Sequence, residues 1–379
     1  MRPGWHELPV PARRALAVGV VALIACVIGA MFEPQTFFAG WLTTWLFLVG
    51  IALGGMMNVM IHELTGGHWG RVLRRPLEAA MLTLPLCAVF ALPLVFGRSW
   101  LFEWAQPRLV AASELLQQKQ WFLNTPSFLV RNAIWFAVWS FLAIALSRQL
   151  GGTEPSNVHA RRRLSVAGLL IYLLTVTLFA YDWVASLVPD WNSTAVGLRL
   201  GASQFVAAVA FTVALTTLDP WLRRQSPRAS ARDFGDFGNL LLTVVMFWGY
   251  IAYMQYFIVW SEDLPHGASW YWPRVLTSWR WLALAVLVLV FTLPFLAMLF
   301  RAIKRNPAGL GIVSLVALVG AWLDALWMVV PSLRTHGIEL HWLDGAALLA
   351  EGGLWLAAVL VLLERVPPTP VGLERTAHG

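Results

Sequence analysis

Two acids, Asp324 and Glu351, lie deep within long runs of apolar residues, where an ionised side chain is costly enough that its presence needs a reason. Each has two readings: a neutral or hydrogen-bonded acid that packs helices together, or a proton relay on the wall of a polar cavity. Asp182 follows Tyr181 near the end of another apolar run, in a stretch that continues through Trp183, Ser186, Pro189, Trp191 and Asn192 to Thr194. Arg131 and Arg199 are predicted at the same depth on neighbouring segments, so guanidinium groups could hold Asp182 as an ionised, hydrogen-bonded partner. A structural clamp and a functional ion pair both fit that pattern. At the opposite ends of the segments, His62, Glu63 and Glu78 bracket the turn Thr65-Gly66-Gly67-His68-Trp69-Gly70-Arg71, with Arg74 and Arg75 beyond it. Solvated loop ion pairs explain the cluster; a proton entrance built on an imidazole that titrates near neutrality is the sharper reading. Tyr253, Tyr256 and Trp260 are spaced i, i+3, i+7, which places them on one helix face. Their polar groups could line a water-filled path or make ordinary interhelical hydrogen bonds.

Redox cofactors demand ligands that a sequence cannot hide. Iron-sulfur clusters need four thiolates or a Cys/His mixture, and this chain has two cysteines, Cys26 and Cys87, both inside apolar runs. Membrane haems need histidines facing one another across helices. Of eight histidines only His62 sits at the end of a predicted helix, and the rest fall in loops, boundaries or tails. A structural zinc site fails on the same residues, so no metal-ligated or covalently held cofactor is expected.

The elements that carry these residues follow from the solvent. The chain has 379 residues, 59% hydrophobic and only 12% charged, far more apolar than a water-soluble domain. Ten apolar stretches long enough for a bilayer core are predicted at 13–32, 38–61, 77–96, 126–147, 164–187, 194–218, 238–260, 279–300, 308–330 and 342–363. Continuous runs, rather than short alternating ones, select helices over a barrel. The first run reads as a helix and not a cleaved leader, since no small-residue cleavage site follows it. With the N-terminus inside, 19 of the 27 Lys and Arg gather on one side, Arg2, Arg13, Arg14, Arg71, Arg74, Arg75, Arg148, Arg161 to Arg163, Arg223, Arg224, Arg228, Arg232, Arg301, Lys304, Arg305, Arg365 and Arg375 among them. That asymmetry puts both termini in the cytoplasm and accounts for the net charge of +7 without nucleic acid as a partner. The connection from Gly97 to Pro126 is too polar for lipid and is predicted to lie along the outer interface. Trp41, Trp45, Trp100, Trp104, Trp121, Trp183, Trp191, Trp270, Tyr271, Trp272, Trp279 and Trp281 crowd the predicted boundaries, as an aromatic belt would. Helices two to five and six to nine start on the same side, which suggests two related four-helix units. The boundaries are then 1–37 for the first helix, 38–193 and 194–331 for the two four-helix units, and 332–379 for the last helix and tail.

Three stretches carry a resemblance. His62-Glu63-Leu64-Thr65-Gly66-Gly67-His68-Trp69-Gly70 with Arg74-Arg75-Pro76-Leu77-Glu78-Ala79 is the first. Asp182-Trp183 with Ser186-Leu187, Pro189, Trp191 and Ser193-Thr194 is the second. Phe247-Trp248-Gly249-Tyr250-Ile251-Ala252-Tyr253 with Gln255-Tyr256 and Ile258-Val259-Trp260 is the third. Together they resemble the second NrfD-like (polysulfide-reductase-type) membrane subunit of bacterial alternative complex III, over most of helices two to eight. The resemblance implies a subunit of a quinol:cytochrome c oxidoreductase in the bacterial cytoplasmic membrane. Its partners would be a paralogous NrfD-like ten-helix subunit and subunits that carry iron-sulfur clusters and multiple haems, with quinone or quinol and lipid as small ligands. It implies two four-helix bundles with peripheral first and last helices, and a role in quinone contact or proton movement for His62, Glu78, Asp182, Tyr253 and Tyr256. The quinone contact is expected around Asp182 with Trp183, Trp191 and, by its predicted depth, Arg199, and the proton pathway through His62, Glu63, Glu78, Tyr253 and Tyr256. Asp324 and Glu351 join that pathway by depth alone. The alternatives are a stand-alone secondary transporter that uses the same intramembrane acids, and a purely structural anchor.

Overall fold

A computed structural model of the chain describes residues 8–150, 157–218, 231–262 and 264–366; Arg2, Arg223, Arg224, Arg228 and Arg375 of the charge asymmetry lie outside them. Among the described residues ten helices are long and apolar enough to cross a membrane: α1 (Val10–Phe32), α2 (Pro34–Thr65), α3 (His68–Phe96), α4 (Thr125–Leu150), α5 (Val158–Leu187), α6 (Val196–Leu218), α7 (Ala231–Glu262), α8 (Arg280–Leu299), α9 (Pro307–Leu333) and α10 (Trp342–Arg365). The protein is an all-α membrane protein. Each predicted span falls on one helix, and α2, α3 and α7 extend beyond the apolar window because their ends lie among loops rather than in lipid. Three helices are not regular throughout. α3 is divided into His68–Met81, Leu84–Phe90 and Leu92–Phe96, where Pro85 and Pro93 remove backbone donors. α5 tightens into a 3₁₀ turn at Ala185–Leu187, and α8 carries a π-helical turn at Leu287–Thr292.

The helices close into two rings. α2, α3, α4 and α5 pack in sequence and back onto α2; α6, α7, α8 and α9 do the same. The rings meet where α2 lies against α6 and α9, and α10 packs on α2 with α1 outside it. α2 is therefore the axis of the molecule, and nearly every residue from Ala39 to Met60 is buried. Its close contact with α6 depends on Gly54: a Cβ there would come within 2.7 Å of the Ala208 Cβ and still closer to the Gln204 carbonyl. α2 ends where Gly66 and Gly67 take φ of 72° and 107°, a conformation nearly restricted to glycine. That turn delivers α3 directly, so the helix begins at His68 rather than beyond the loop.

The aromatic belt is smaller than predicted. Trp41, Trp45, Trp104, Trp183, Trp191, Trp270 and Trp279 are buried inside the protein, while Trp100, Trp121, Trp272 and Trp281 are exposed. The buried indoles fasten helices to one another. Trp41 and Trp45, one turn apart on α2, donate to the Phe90 and Cys87 carbonyls of the interrupted α3 at 2.9 and 2.8 Å. Trp139 joins α4 to Thr175 of α5 at 2.9 Å, and Trp355 joins α10 to Thr83 at the break in α3 at 2.7 Å. The 97–126 connection likewise plugs the bundle instead of lying flat: Leu101, Phe102, Trp104 and Leu116 are buried, and Phe102 and Trp104 pack on Phe128 and Trp183. In the second half Arg274, buried before α8, donates to the Trp327 and Met328 carbonyls and to Ser332 Oγ at 3.0, 2.8 and 2.9 Å. It thereby satisfies carbonyls in the last turns of α9. Burial holds its pKa well below the usual arginine value, and the Trp270 ring 3.5 Å beneath it compensates part of the lost hydration.

Gly54→Leu should abolish the α2–α6 contact, with loss of a folded species on size-exclusion chromatography in detergent, whereas Gly345→Ala, at a site where a Cβ meets nothing within 4 Å, should leave the elution profile unchanged.

Candidate functional site

Each ring contains one buried arginine–aspartate pair. In the first, Arg131 of α4 reaches Asp182 of α5 with Nη2 to Oδ1 at 2.5 Å and Nε to Oδ2 at 3.2 Å, a bidentate fork. Asn132 adds a donor to Oδ2 at 3.3 Å, and Trp183 donates its indole N–H to Asn132 Oδ1 at 2.7 Å. The remaining Arg131 donor goes to the Phe122 carbonyl at 2.9 Å and Ser127 Oγ at 2.5 Å, with the guanidinium 3.9 Å from the Phe122 ring centre. All three guanidinium nitrogens and both carboxylate oxygens thus have partners inside the bundle, as a buried ion pair requires.

Arg199 does not share that site. It belongs to the second pair, where its Nη1 and Nη2 grip Asp324 of α9, the first at 3.0 Å. Ser203, one turn along α6, donates to Asp324 Oδ2 at 2.6 Å, and Trp248 of α7 donates to the same oxygen at 3.1 Å. The two centres carry an echo in sequence: Asp182 precedes Pro189 by the same interval as Asp324 precedes Pro331, on helices α5 and α9 that close their respective rings. The deep acid Asp324 is therefore a fully partnered carboxylate. Ser203 was legible as the residue i+4 from Arg199; nothing in the local pattern pointed to Asn132 or Trp248.

At the end of the bundle where α1 begins, Glu78 accepts from Arg74 Nε at 3.3 Å and Ser147 Oγ at 2.6 Å. Glu63 pairs with Arg161 at 3.1 Å, and His62 Nε2 lies 3.0 Å from the Gly67 carbonyl. His68 approaches Asp233 of α7 at 2.6 Å and bridges the two rings. Glu351 is the exception. Its side chain is buried and neither carboxyl oxygen has a hydrogen-bond partner among the described residues. Tyr253 and Tyr256 do not line an interior path: both are exposed on the outer face of α7, because the face that α7 buries is the one bearing Trp248, Ile251 and Gln255. The sequence-predicted proton residues therefore occupy four separate places and form no continuous row among the described residues.

The opposite end holds a slot of about 190 Å³ beside the first ion pair, lined by Lys119, Trp121, Phe122, Tyr181, Ser186 and Trp191, with Leu123, Ala185, Pro189 and Asn192 completing it. Phe122 is the ring under Arg131, and Ser186 donates to the Asp182 backbone carbonyl at 2.6 Å. Trp191 stacks on Trp270 of the other half, centroids 4.9 Å apart, and its buried indole N–H has no acceptor among the described residues. Lys119 donates to the Pro189 carbonyl at 2.5 Å and Asn192 Oδ1 at 3.2 Å; burial lowers its pKa from the ordinary lysine value while Asp190 pulls it back up. Tyr181 donates to the Ser193 carbonyl at 2.8 Å. The slot has flat aromatic walls and a cation at its edge, and one of its lining residues, Trp191, has an unpaired indole N–H, a combination that suits a planar ring bearing carbonyl or hydroxyl oxygens. Of the four residues predicted around it, Trp191 lines it, Asp182 and Trp183 lie behind the wall, and Arg199 is elsewhere. No family model matches the chain, and no curated protein is significantly similar to it.

Arg131→Leu should cost about 3–5 kcal/mol by stranding the Asp182 carboxylate, seen as a large fall in the detergent melting temperature. Arg131→Leu with Asp182→Leu should recover most of that loss. A double variant as unstable as the single one would show that the pair is not the element that fails.

Proposed function

We propose that the chain is a membrane subunit of a quinol:cytochrome c oxidoreductase of the alternative complex III type, with the aromatic slot contacting a quinone ring. The face where α1 begins would be cytoplasmic, which places the slot at the outer edge of the bacterial cytoplasmic membrane. The observation that carries the reading is the aromatic slot with Lys119 at its edge and Trp191 in its lining; the buried indole N–H of Trp191 has no acceptor among the described residues, which is unfavourable, and a quinone oxygen that reached it would supply one. Trp121, Phe122 and Trp191 would hold the ring by stacking, and Lys119 retains a third N–H for its second polar edge. Bound quinol would supply electrons and protons, and the electrons would leave through partner subunits bearing haem and iron-sulfur centres. This chain's own residues bind and orient: Arg131 and Asp182 stiffen the wall, and Ser186 ties it to the start of the slot.

The three motif stretches support the same reading, since the first builds the Gly66-Gly67 turn and the Glu78 cluster, the second supplies Ser186, Pro189 and Trp191 to one wall of the slot, and the third lies on α7. The transporter alternative leans on discontinuous helices in matched positions of the two halves. α3 is interrupted, but α7, the helix in the corresponding place, runs unbroken from Ala231 to Glu262, so the matched pair is missing.

Affinity isolation of the tagged chain from native membranes should bring down polypeptides that stain for haem; a chain that runs alone and moves solute in liposomes would favour the transporter. In the isolated complex, Trp191→Phe, which keeps the stacking ring but deletes the N–H, should weaken quinol binding about tenfold, the scale of one lost hydrogen bond to a buried partner. An unchanged KM for both Trp191→Phe and Trp191→Ala would remove quinone from the slot.

A further inference from the structure

The outward face of α7 has a chemistry that lipid does not explain. Asn239, Thr243, Met246, Tyr250, Tyr253 and Phe257 are all exposed and recur at intervals of four and three, the spacing of a helix seam that meets another helix along its length. Trp260 continues the series. Asn239 marks one membrane edge, because its side chain accepts from Lys304 at 2.8 Å beside the charged α8–α9 connection. Tyr250 stands eleven residues further on, roughly 16 Å at helical rise, which is near the middle of a hydrocarbon layer about 30 Å thick. Its ring is 61% exposed and that of Tyr253 is 62% exposed. Neither hydroxyl has a hydrogen-bond partner among the described residues, and tyrosine ordinarily keeps its hydroxyl at the wet boundary of the bilayer. Tyr253, one turn further along at roughly 21 Å, is still within the hydrocarbon, and unpaired hydroxyls there on the outside of the protein are costly against acyl chains.

α1 provides the contrast within the same molecule. Its outward residues, Val18, Val21, Ile24, Val27, Ile28 and Met31, bear no hydrogen-bonding group and suit lipid as they stand.

We infer that the Asn239–Trp260 face of α7 is the contact surface for a transmembrane helix of a different polypeptide, one that presents hydrogen-bond acceptors to Tyr250 and Tyr253 within the hydrocarbon layer. The inference rests on the reading of this chain as a subunit of a larger complex and assigns the surface through which it meets its membrane partner. The seam runs the full thickness of the bilayer, which matches a helix rather than a headgroup or a small ligand.

The test is photo-crosslinking in native membranes with benzoylphenylalanine in place of Tyr250, and in place of Val21 as the lipid-facing comparison. The expected result is an adduct at Tyr250 to a membrane-spanning segment of another polypeptide, located by mass spectrometry, with no protein adduct at Val21. Adducts to lipid alone at both positions, or to a second copy of this chain at Tyr250, would overturn the assignment. Tyr250→Phe and Tyr253→Phe should each lower retention of that partner about threefold, the effect of one interhelical hydrogen bond in lipid; unchanged retention in the double variant would also overturn it. The outcomes separate the two ideas. Haem-bearing partners that co-isolate with a chain whose Tyr250 reaches only lipid remove this surface and leave the proposed function standing. A Tyr250 adduct to a membrane protein in the absence of any haem partner does the reverse.

Discussion

A charge inside a bilayer has no water to fall back on, and the architecture of this protein is organised around that constraint. Each four-helix ring encloses an arginine and an aspartate that grip each other across two helices, with further hydrogen bonds from Asn132, Ser127 and the Phe122 carbonyl in the first and from Ser203 and Trp248 in the second. Burying such a pair costs desolvation that geometry must repay. What the pairs supply is register. An Arg131–Asp182 fork fixes the height of α4 against α5, and Arg199–Asp324 fixes α6 against α9, more sharply than interchangeable apolar contacts can.

Tryptophan extends the same logic to the backbone. Near both prolines that interrupt α3, hydrogen bonds from α2 and α10 tie the broken helix to its neighbours: indoles of α2 bind the Phe90 and Cys87 carbonyls, and Trp355 of α10 binds Thr83. The same device at Trp279, which donates to the Arg334 carbonyl at 2.8 Å, secures the end of α9. Indoles that bind carbonyls across helices leave fewer for the interface, which is why the belt of this protein is thin.

The ten spans were legible because lipid imposes a length and a composition that few other environments do, and the closing of two rings follows from short loops and alternating orientation. The residues of the ion pairs were visible as charges out of place, yet their pairing was only half visible. Arg131 and Arg199 looked equivalent beside Asp182, and the true partner of Arg199 lies 125 positions away, a relation that spacing within one helix cannot express. Helical periodicity groups Tyr253 with Tyr256 and Trp260 but does not say whether that face turns inward. The tryptophans were misplaced for a related reason: a residue with one apolar ring and one donor serves equally at a wet boundary and across a dry interface. The slot itself had no local signature, since its walls come from the 97–126 connection, α5 and the turn that follows it.

Under the proposed function these features meet at one end of the bundle, where a flat, oxygen-bearing ring would lie against a wall that contains the first ion pair. The most direct measurement is the density in that slot in an electron-microscopy structure of the assembly isolated from native membranes with a tight-binding quinol analogue. The account predicts a planar ring between Trp121, Phe122 and Trp191, with an oxygen at hydrogen-bond distance from the Trp191 indole nitrogen. A slot occupied by an acyl chain, with the analogue bound on another subunit, would contradict it.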